Sequence, residues 1–285
     1  MNDLMYRVTF RCNKHCYFCY NDAFEEKVNF DEIEKKDIDD LLSFIKKNNI
    51  KRVTITGGEP SVRSDLSEII KQLTEITTVR VFTNGNLFDV YSIDEIVKFN
   101  INKIILTLYD EDIKGNAKFD NLLNKIVEVR KRGIIVDCNA FLDINFNKKR
   151  DLILARGLLD KFDHIRFQPL ALTKAFKNYK DTVFGMDSKT RKKIFAQVIQ
   201  DNWGDTKIFY EAFDKWLDDG IQPYECIYPI TTFTVDPDLS LKTCPHKNYP
   251  SYNFENILEA CKKEDCTNCL TPECTGIYKF KVLKK

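Results

Sequence analysis

Over its first 170 residues the chain alternates two kinds of segment, and this alternation limits the possible folds more than any other feature. Short runs rich in β-branched and aromatic residues (Tyr6 to Phe10, Arg52 to Thr56, Val79 to Thr83, Lys103 to Leu108, Ile134 to Phe141, His164 to Phe167) are separated by stretches with helical spacing. Ile38, Leu41, Leu42 and Ile45 form one such stripe within residues 30–50, and residues 66–73 and 122–129 repeat it. Successive βα units of this kind predict an α/β fold with a parallel sheet or partial barrel.

Parallel strands buried on both faces read as unbroken apolar runs. These do not. Alternation sets Thr54 with Thr56, Thr107 with Tyr109, Asp137 with Asn139 and Arg166 with Gln168 on one face of their strands, while Val53, Ile55, Val136, Ile165 and Phe167 take the other. A curled sheet, polar on its concave face and apolar beneath helices on its convex face, accounts for both sets.

After Pro169 the spacing turns helical over residues 188–202 and 207–217, with Asp187 or Ser188 as the N-cap. From Ile221 the chain is turn-rich and holds six of its ten cysteines. These shifts divide the chain into a barrel unit over 1–175, a helical bridge over 176–220 and a small cysteine-rich unit over 221–285. Lys and Arg total 44 against 43 Asp and Glu, so no single-sign field exists to hold nucleic acid. No apolar run approaches the roughly 18 residues of a membrane span, and the N-terminus has no signal core, so the expected location is the cytoplasm. In that reducing compartment grouped thiols point to metal binding or catalysis.

Cys12, Cys16 and Cys19 follow the first run as Cys-x3-Cys-x2-Cys in the loop RCNKHCYFCYND. Three thiolates on one short loop can take three corners of an iron-sulfur cube, each on a different iron. The fourth iron then has no nearby thiol, and an open coordination position marks a catalytic site. Zinc competes, but zinc loops favour Cys-x2-Cys pairs and four ligands. The loop CNKHCYFC resembles the Cys-x3-Cys-x-aromatic-Cys motif of the radical S-adenosylmethionine (radical SAM) superfamily, and Thr56-Gly57-Gly58-Glu59-Pro60, which ends the second run, is similar to that family's GGEP motif. The resemblance runs from residue 5 to about residue 170.

The resemblance implies a partial (β/α)6 TIM-like barrel. It also implies a [4Fe-4S] cluster on Cys12, Cys16 and Cys19, with S-adenosyl-L-methionine as cofactor and Phe18 against its adenine. Gly57, Gly58, Glu59 and Pro60 form the turn expected to meet the cofactor's amino-acid end. A branched side chain at Gly58 is expected to weaken cofactor binding and leave the cluster assembled. Phe82-Thr83-Asn84-Gly85 resembles the family's turn beside the cofactor, which adds Thr83 and Asn84 to the cofactor set. Thr107 joins them by position, although Thr107 and Tyr109 stand where the family often has Ser-x-Asp and the carboxylate is missing. Asn139 and Gln168 read equally as cofactor or substrate contacts and as polar lining.

Toward the C-terminus, residues 231–235 and 240–243 read as a hairpin about the turn Asp236-Pro237-Asp238, with Cys226 and Cys244 flanking it. A short helix over 253–261 and the group Cys266-x2-Cys269-x4-Cys274 follow. Four thiolates of this kind satisfy either zinc or a complete iron-sulfur cluster. The segment resembles the SPASM and twitch extensions behind radical SAM barrels, which implies an auxiliary [4Fe-4S] cluster on Cys226, Cys244, Cys266 and Cys269, with Cys274 as the alternate ligand. Leu239 stands where that pattern has glycine. Cys138 and Cys261 read as small buried hydrophobes.

These features together imply an enzyme that cleaves S-adenosylmethionine reductively and abstracts a substrate hydrogen atom. With an auxiliary cluster as electron exit, oxidative modification of a ribosomal peptide, by crosslinking or dehydrogenation, is the favoured reading. A dehydrogenase or tailoring enzyme for a small molecule is the alternative, and a noncatalytic iron-sulfur or zinc protein the remote one. The first run begins near the N-terminus and leaves no room ahead of it for a leader-peptide module, which counts against the peptide. The expected partners are the substrate and an external reductant such as flavodoxin or ferredoxin, with neither nucleic acid nor membrane. Tyr109, Asp137 and Arg166 are candidates to hold substrate on the polar face, and an internal Asp137–Arg166 ion pair is the competing reading.

Overall fold

The computed structural model describes residues 3–16, 19, 38–169, 182–183, 185–204, 207–219, 224–226, 232–243, 252–257, 259 and 280–282. The six expected runs form strands β1 (Asp3–Thr9), β2 (Arg52–Gly57), β3 (Thr78–Thr83), β4 (Lys103–Thr107), β5 (Ile135–Leu142) and β6 (His164–Pro169). Each pairs in parallel with the next in chain order. Between them lie α1 (Asp39–Lys47), α2 (Leu66–Thr74), α3 (Leu87–Val90), α4 (Ile93–Lys98), α5 (Asp110–Lys114), α6 (Ala117–Lys131) and α7 (Phe146–Ala155). The result is the α/β partial barrel that the alternation required.

Local signals fix where the helices begin. Asp39 and Asp40 open α1 and Lys46 and Lys47 close it, in the order that suits the helix dipole. Ser92 and Glu95 make a reciprocal capping box on α4, and the Asn116 side chain accepts from Phe119 N at 2.8 Å at the start of α6. The apolar face of each strand then packs under these helices. Val53, Ile55, Val81, Ile104, Val136, Cys138 and Phe167 are fully buried together with Leu41, Ile69, Ile70, Ile96 and Ile126. Cys138 is thus a core residue, and burial pushes its thiol up.

Beyond β6 come α8 (Ser188–Gln200), capped by the Asp187 carboxylate accepting from Thr190 N at 2.9 Å, and α9 (Lys207–Asp219). The turn after α8 covers the outer edge of β6: Phe167 N donates to Trp203 O at 2.6 Å and the two rings stack. Then follow β7 (Tyr224–Cys226), β8 (Thr232–Val235), β9 (Leu241–Lys242) and β10 (Phe280–Val282). The hairpin β8–β9 forms as expected, and β8 pairs in parallel with β1, so the main sheet runs β6-β5-β4-β3-β2-β1-β8-β9. Leu239 in the hairpin turn has φ 60°, the left-handed conformation that suits the glycine expected at that position. The hairpin is locked by charge. Asp236 accepts from Arg7 Nε of β1 at 2.6 Å and from Lys242 Nζ at 3.1 Å, with all three side chains buried.

Candidate active site

The site is built where β1 and β2 end. Arg7 pairs with Thr56 and Thr9 with Gly57, so Val8 is an extra residue in the ladder, and the buried Arg63 donates to its carbonyl at 2.7 Å. Past the bulge the two chains stay zipped: Gly58 N donates to Thr9 O at 2.8 Å and Glu59 N to Arg11 O at 2.9 Å. A Cβ on Gly57 would lie 2.1 Å from Thr9 O and one on Gly58 would lie 2.0 Å from Arg11 O. Both glycines are therefore required by the backbone that leads into Cys12. This corrects the expectation that a branched residue at Gly58 spares the cluster, because its first contact is the cysteine loop itself.

Glu59 is the hub of the turn. Its fully buried carboxylate accepts from Ser61 Oγ at 2.6 Å, Ser61 N at 3.3 Å, Thr83 Oγ1 at 2.9 Å and Asn84 N at 2.6 Å. Burial pushes the carboxyl up against the pull of these four donors. Pro60 begins a buried 3₁₀ turn over Pro60–Val62 that aims Ser61 back at Glu59. Thr83 in turn accepts from Gly85 N and Leu87 N at 3.1 and 3.3 Å, fixing the start of α3.

Asn84 joins this hub to the cysteines. Its side-chain amide donates to Cys12 Sγ at 3.6 Å and to Asn13 Oδ1 at 2.8 Å, and Lys14 N reaches the same sulfur at 3.4 Å. Burial raises the Cys12 thiol, with the negative charges of Glu59 and Cys16 adding to the effect. Cys16 Sγ lies 3.5 Å from Tyr109 Oη, Lys14 Nζ sits 3.7 Å over the Tyr109 ring, and Cys19 N donates to Cys16 O at 2.9 Å. Burial pushes the Tyr109 hydroxyl up, and its oxygen accepts from the Cys16 thiol. Thr107 is half-buried at the end of β4.

The donor set suits thiolate-held iron. Three thiols lie on one partly accessible loop, with two N–H groups aimed at the Cys12 sulfur and the Tyr109 oxygen beside the Cys16 sulfur. Among the described residues no three His, Cys, Asp or Glu converge on a single-ion point. A cube needs something different, one thiolate on each of three irons. Phe18, Cys244, Cys266, Cys269, Cys274 and Cys261 lie outside the described residues, and of Cys226 the structure describes only the backbone, in β7. Asn13, Ser61 and Asn86 belong to the same network, since Asn86 donates to Ser61 Oγ and accepts from Asn13, each at 2.8 Å. Sequence reading passed over them, although Asn13 lies between two of the cysteines and Asn86 two residues past Asn84.

Below this end, the concave face encloses a cavity of about 440 Å³ lined by Thr54, Asn139, Arg166 and Gln168 among others. Asn139 and Gln168 thus face the cavity, while Thr83 and Asn84 belong to the turn above it. Asp137 pairs with Lys103 at 2.5 Å and His164 at 3.0 Å. The Asp137–Arg166 pair, the competing reading, does not form: Asp137 instead meets His164, its register partner on β6, and Lys103, two residues from its register partner Ile105 on β4.

Residues 6–144 match the model of the Radical SAM superfamily. Residues 6–144 form a radical SAM domain. Such a domain employs a [4Fe-4S] cluster and S-adenosylmethionine and needs both a reductant and a substrate. Among curated relatives, a probable GTP 3',8-cyclase of Methanococcus aeolicus is 22% identical over 95% of this chain and 89% of its own length. One of Archaeoglobus fulgidus is 27% identical over 47% of this chain and 46% of its own length, so that match spans about half of the relative. Among solved structures, Streptococcus suis SuiB bound to precursor peptide SuiA superposes with a TM-score of 0.67 at 16% identity, over 92% of this chain and 64% of that one, a likeness of fold. The curated relatives overturn the favoured peptide reading: they are named for a reaction of GTP, a small molecule. No described helix is long and apolar enough to cross a membrane.

Proposed function

We propose that this radical SAM enzyme acts on a small molecule held in the concave cavity, with Cys12, Cys16 and Cys19 as the cluster ligands. The observation that carries the reading is the cavity: about 440 Å³ on the concave face of the sheet, lined by polar side chains such as Asn139 and Gln168 among apolar ones such as Phe82 and Ile105, a volume in the range of small-ligand sites. Relatives matching over most of their length and named for GTP support the same reading.

When bound, the cluster and S-adenosylmethionine supply a 5'-deoxyadenosyl radical that takes a hydrogen atom from the substrate. This chain's residues do the rest. Asn84 and the Lys14 amide donate to the Cys12 sulfur, and Tyr109 stands at the Cys16 sulfur, which holds both ligands in place. Glu59 fixes the turn that carries Asn84. Gly57 and Gly58, with Pro60 behind them, bring that turn against the cysteine loop, so the backbone that meets the cofactor and the backbone that holds the cluster form one unit. Asn139 and Gln168 offer polar contacts to substrate from the cavity wall. An auxiliary cluster on Cys226, Cys244, Cys266 and Cys269, with Cys274 as alternate, rests on sequence spacing.

The test is turnover of anaerobically reconstituted protein with S-adenosylmethionine, a strong reductant and GTP as the first candidate substrate, followed by other nucleotides. The wild type releases 5'-deoxyadenosine, faster with substrate present. Replacing Cys12, Cys16 and Cys19 together by Ala removes about four irons per chain and abolishes the release. Release that persists in the triple variant would overturn the ligand assignment. Acceleration by peptides alone would overturn the small-molecule reading.

A further inference from the structure

The lower half of the cavity is lined by cations. Arg52 on β2, Arg80 on β3, Lys103 on β4 and Arg166 on β6 all face it, at inward positions near the strand starts. Two carboxylates share this space, and both are engaged: Asp3 with Arg52 at 2.5 Å, Asp137 with Lys103 at 2.5 Å and His164 at 3.0 Å. Arg80 is left without a carboxylate of its own among the described residues. Its Nε is buried and has no hydrogen-bond partner. A guanidinium is charged at any working pH and presents five donors in a planar fork. One held beside Arg52 and Arg166 and facing a cavity is arranged for an acceptor that the chain does not supply. The near-zero net charge of the chain conceals this local surplus.

We infer that the strand-start end of the cavity is a subsite for a multiply charged oxyanion, the phosphoryl or polyphosphoryl group of the substrate, with Arg80 as its central ligand and Arg52 and Arg166 at its sides. The inference rests on the small-molecule reading above and names the chemical class of that molecule. Tetrahedral oxyanions take the paired donors of arginine, and several such groups share the charge of a phosphate chain. Geometry places the anion far from the radical chemistry. Arg80 on β3 and Asn84, just past the end of that strand, are four residues apart, so about 13 Å separates the anion subsite from the cysteine end. A substrate that fills both is elongated, with its charged group at one end and the reacting C–H bond at the other. Binding energy from the remote group then positions the bond that reacts.

The experiment is calorimetric titration of the reconstituted, S-adenosylmethionine-loaded protein with inorganic tripolyphosphate, and separately with GTP and ATP. Tripolyphosphate is expected to bind saturably and to weaken as salt rises. Arg80→Gln is expected to weaken it about tenfold or more, and the more accessible Arg166→Gln severalfold, because each removes donors to a charged group. Lys118→Gln, on the exposed face of α6, serves as the control and binds as wild type. If Arg80→Gln fails to fold, as judged by circular dichroism, Arg166→Gln decides. GTP or ATP that binds and, when present beforehand, blocks the tripolyphosphate titration identifies the source of the group as a nucleotide; tripolyphosphate binding that neither nucleotide blocks identifies a different phosphate carrier, and both outcomes uphold the subsite. No saturable tripolyphosphate binding, or equal binding by wild type and both arginine variants, overturns it. Release of 5'-deoxyadenosine by the same wild-type preparation judges the radical SAM assignment separately.

Discussion

Replacing Glu59 by Gln asks whether one carboxylate holds the cofactor turn. In the native turn one carboxylate oxygen accepts from Ser61 N, Ser61 Oγ and Thr83 Oγ1, and the other accepts only from Asn84 N, at 2.6 Å. The amide in the Glu59→Gln variant has a single acceptor oxygen. Its best placement keeps the three donors on one side and turns its NH2 toward the Asn84 N–H, donor against donor. The loss is at least one short hydrogen bond to a charged, buried acceptor, about 1.5–3 kcal/mol. For a chain of 285 residues that corresponds to a fall in Tm of about 2–5 °C. Because Asn84 is the residue released, and its side chain is bonded to Cys12 Sγ, the effect falls on the chemistry as well. If all of that energy is expressed in the placement of Asn84, release of 5'-deoxyadenosine slows about ten- to 150-fold. Anaerobic thermal melts and single-turnover release of 5'-deoxyadenosine measure the two effects. A variant that melts within about 1 °C of wild type and turns over at the wild-type rate refutes the clamp.

Gly58→Ala puts a methyl group 2.0 Å from Arg11 O, so the backbone entering Cys12 must move; the variant should lose bound iron along with S-adenosylmethionine cleavage, and a full iron complement with wild-type cleavage would count against the zipper. Asp236→Ala leaves Arg7 and Lys242 buried without their shared counter-ion and should cost about 3–5 kcal/mol, read as a lowered urea midpoint. A midpoint unchanged from wild type would show that the hairpin is held against β1 by other contacts.

What could be read from the sequence is what depends on neighbours in the chain. Strand alternation of period two and helix stripes near 3.6 are local properties, so six strands, their helices and the division into polar and apolar faces could be inferred without coordinates. The cysteine loop and the glycine-rich turn were equally visible, because each is a compact motif whose spacing is chemistry. Atomic roles were not visible. Glu59 could be placed in a turn, but that it accepts from Thr83 and Asn84, on the next strand, depends on the lateral register of β2 against β3. Gly58 read as an approach to a ligand, whereas its nearest neighbour is the carbonyl of Arg11, set by a bulge in β1 that no spacing announces. Asp137 could be matched with any inward cation, and the fold chose Lys103 and His164. The longest-range decision joins β8 to β1 and buries Arg7 with Asp236, 229 residues away. Periodicity records which way a side chain points relative to its own backbone. Which other backbone it meets is settled only when the sheet curls and closes its edges, because that choice is made by packing and charge between segments far apart in sequence.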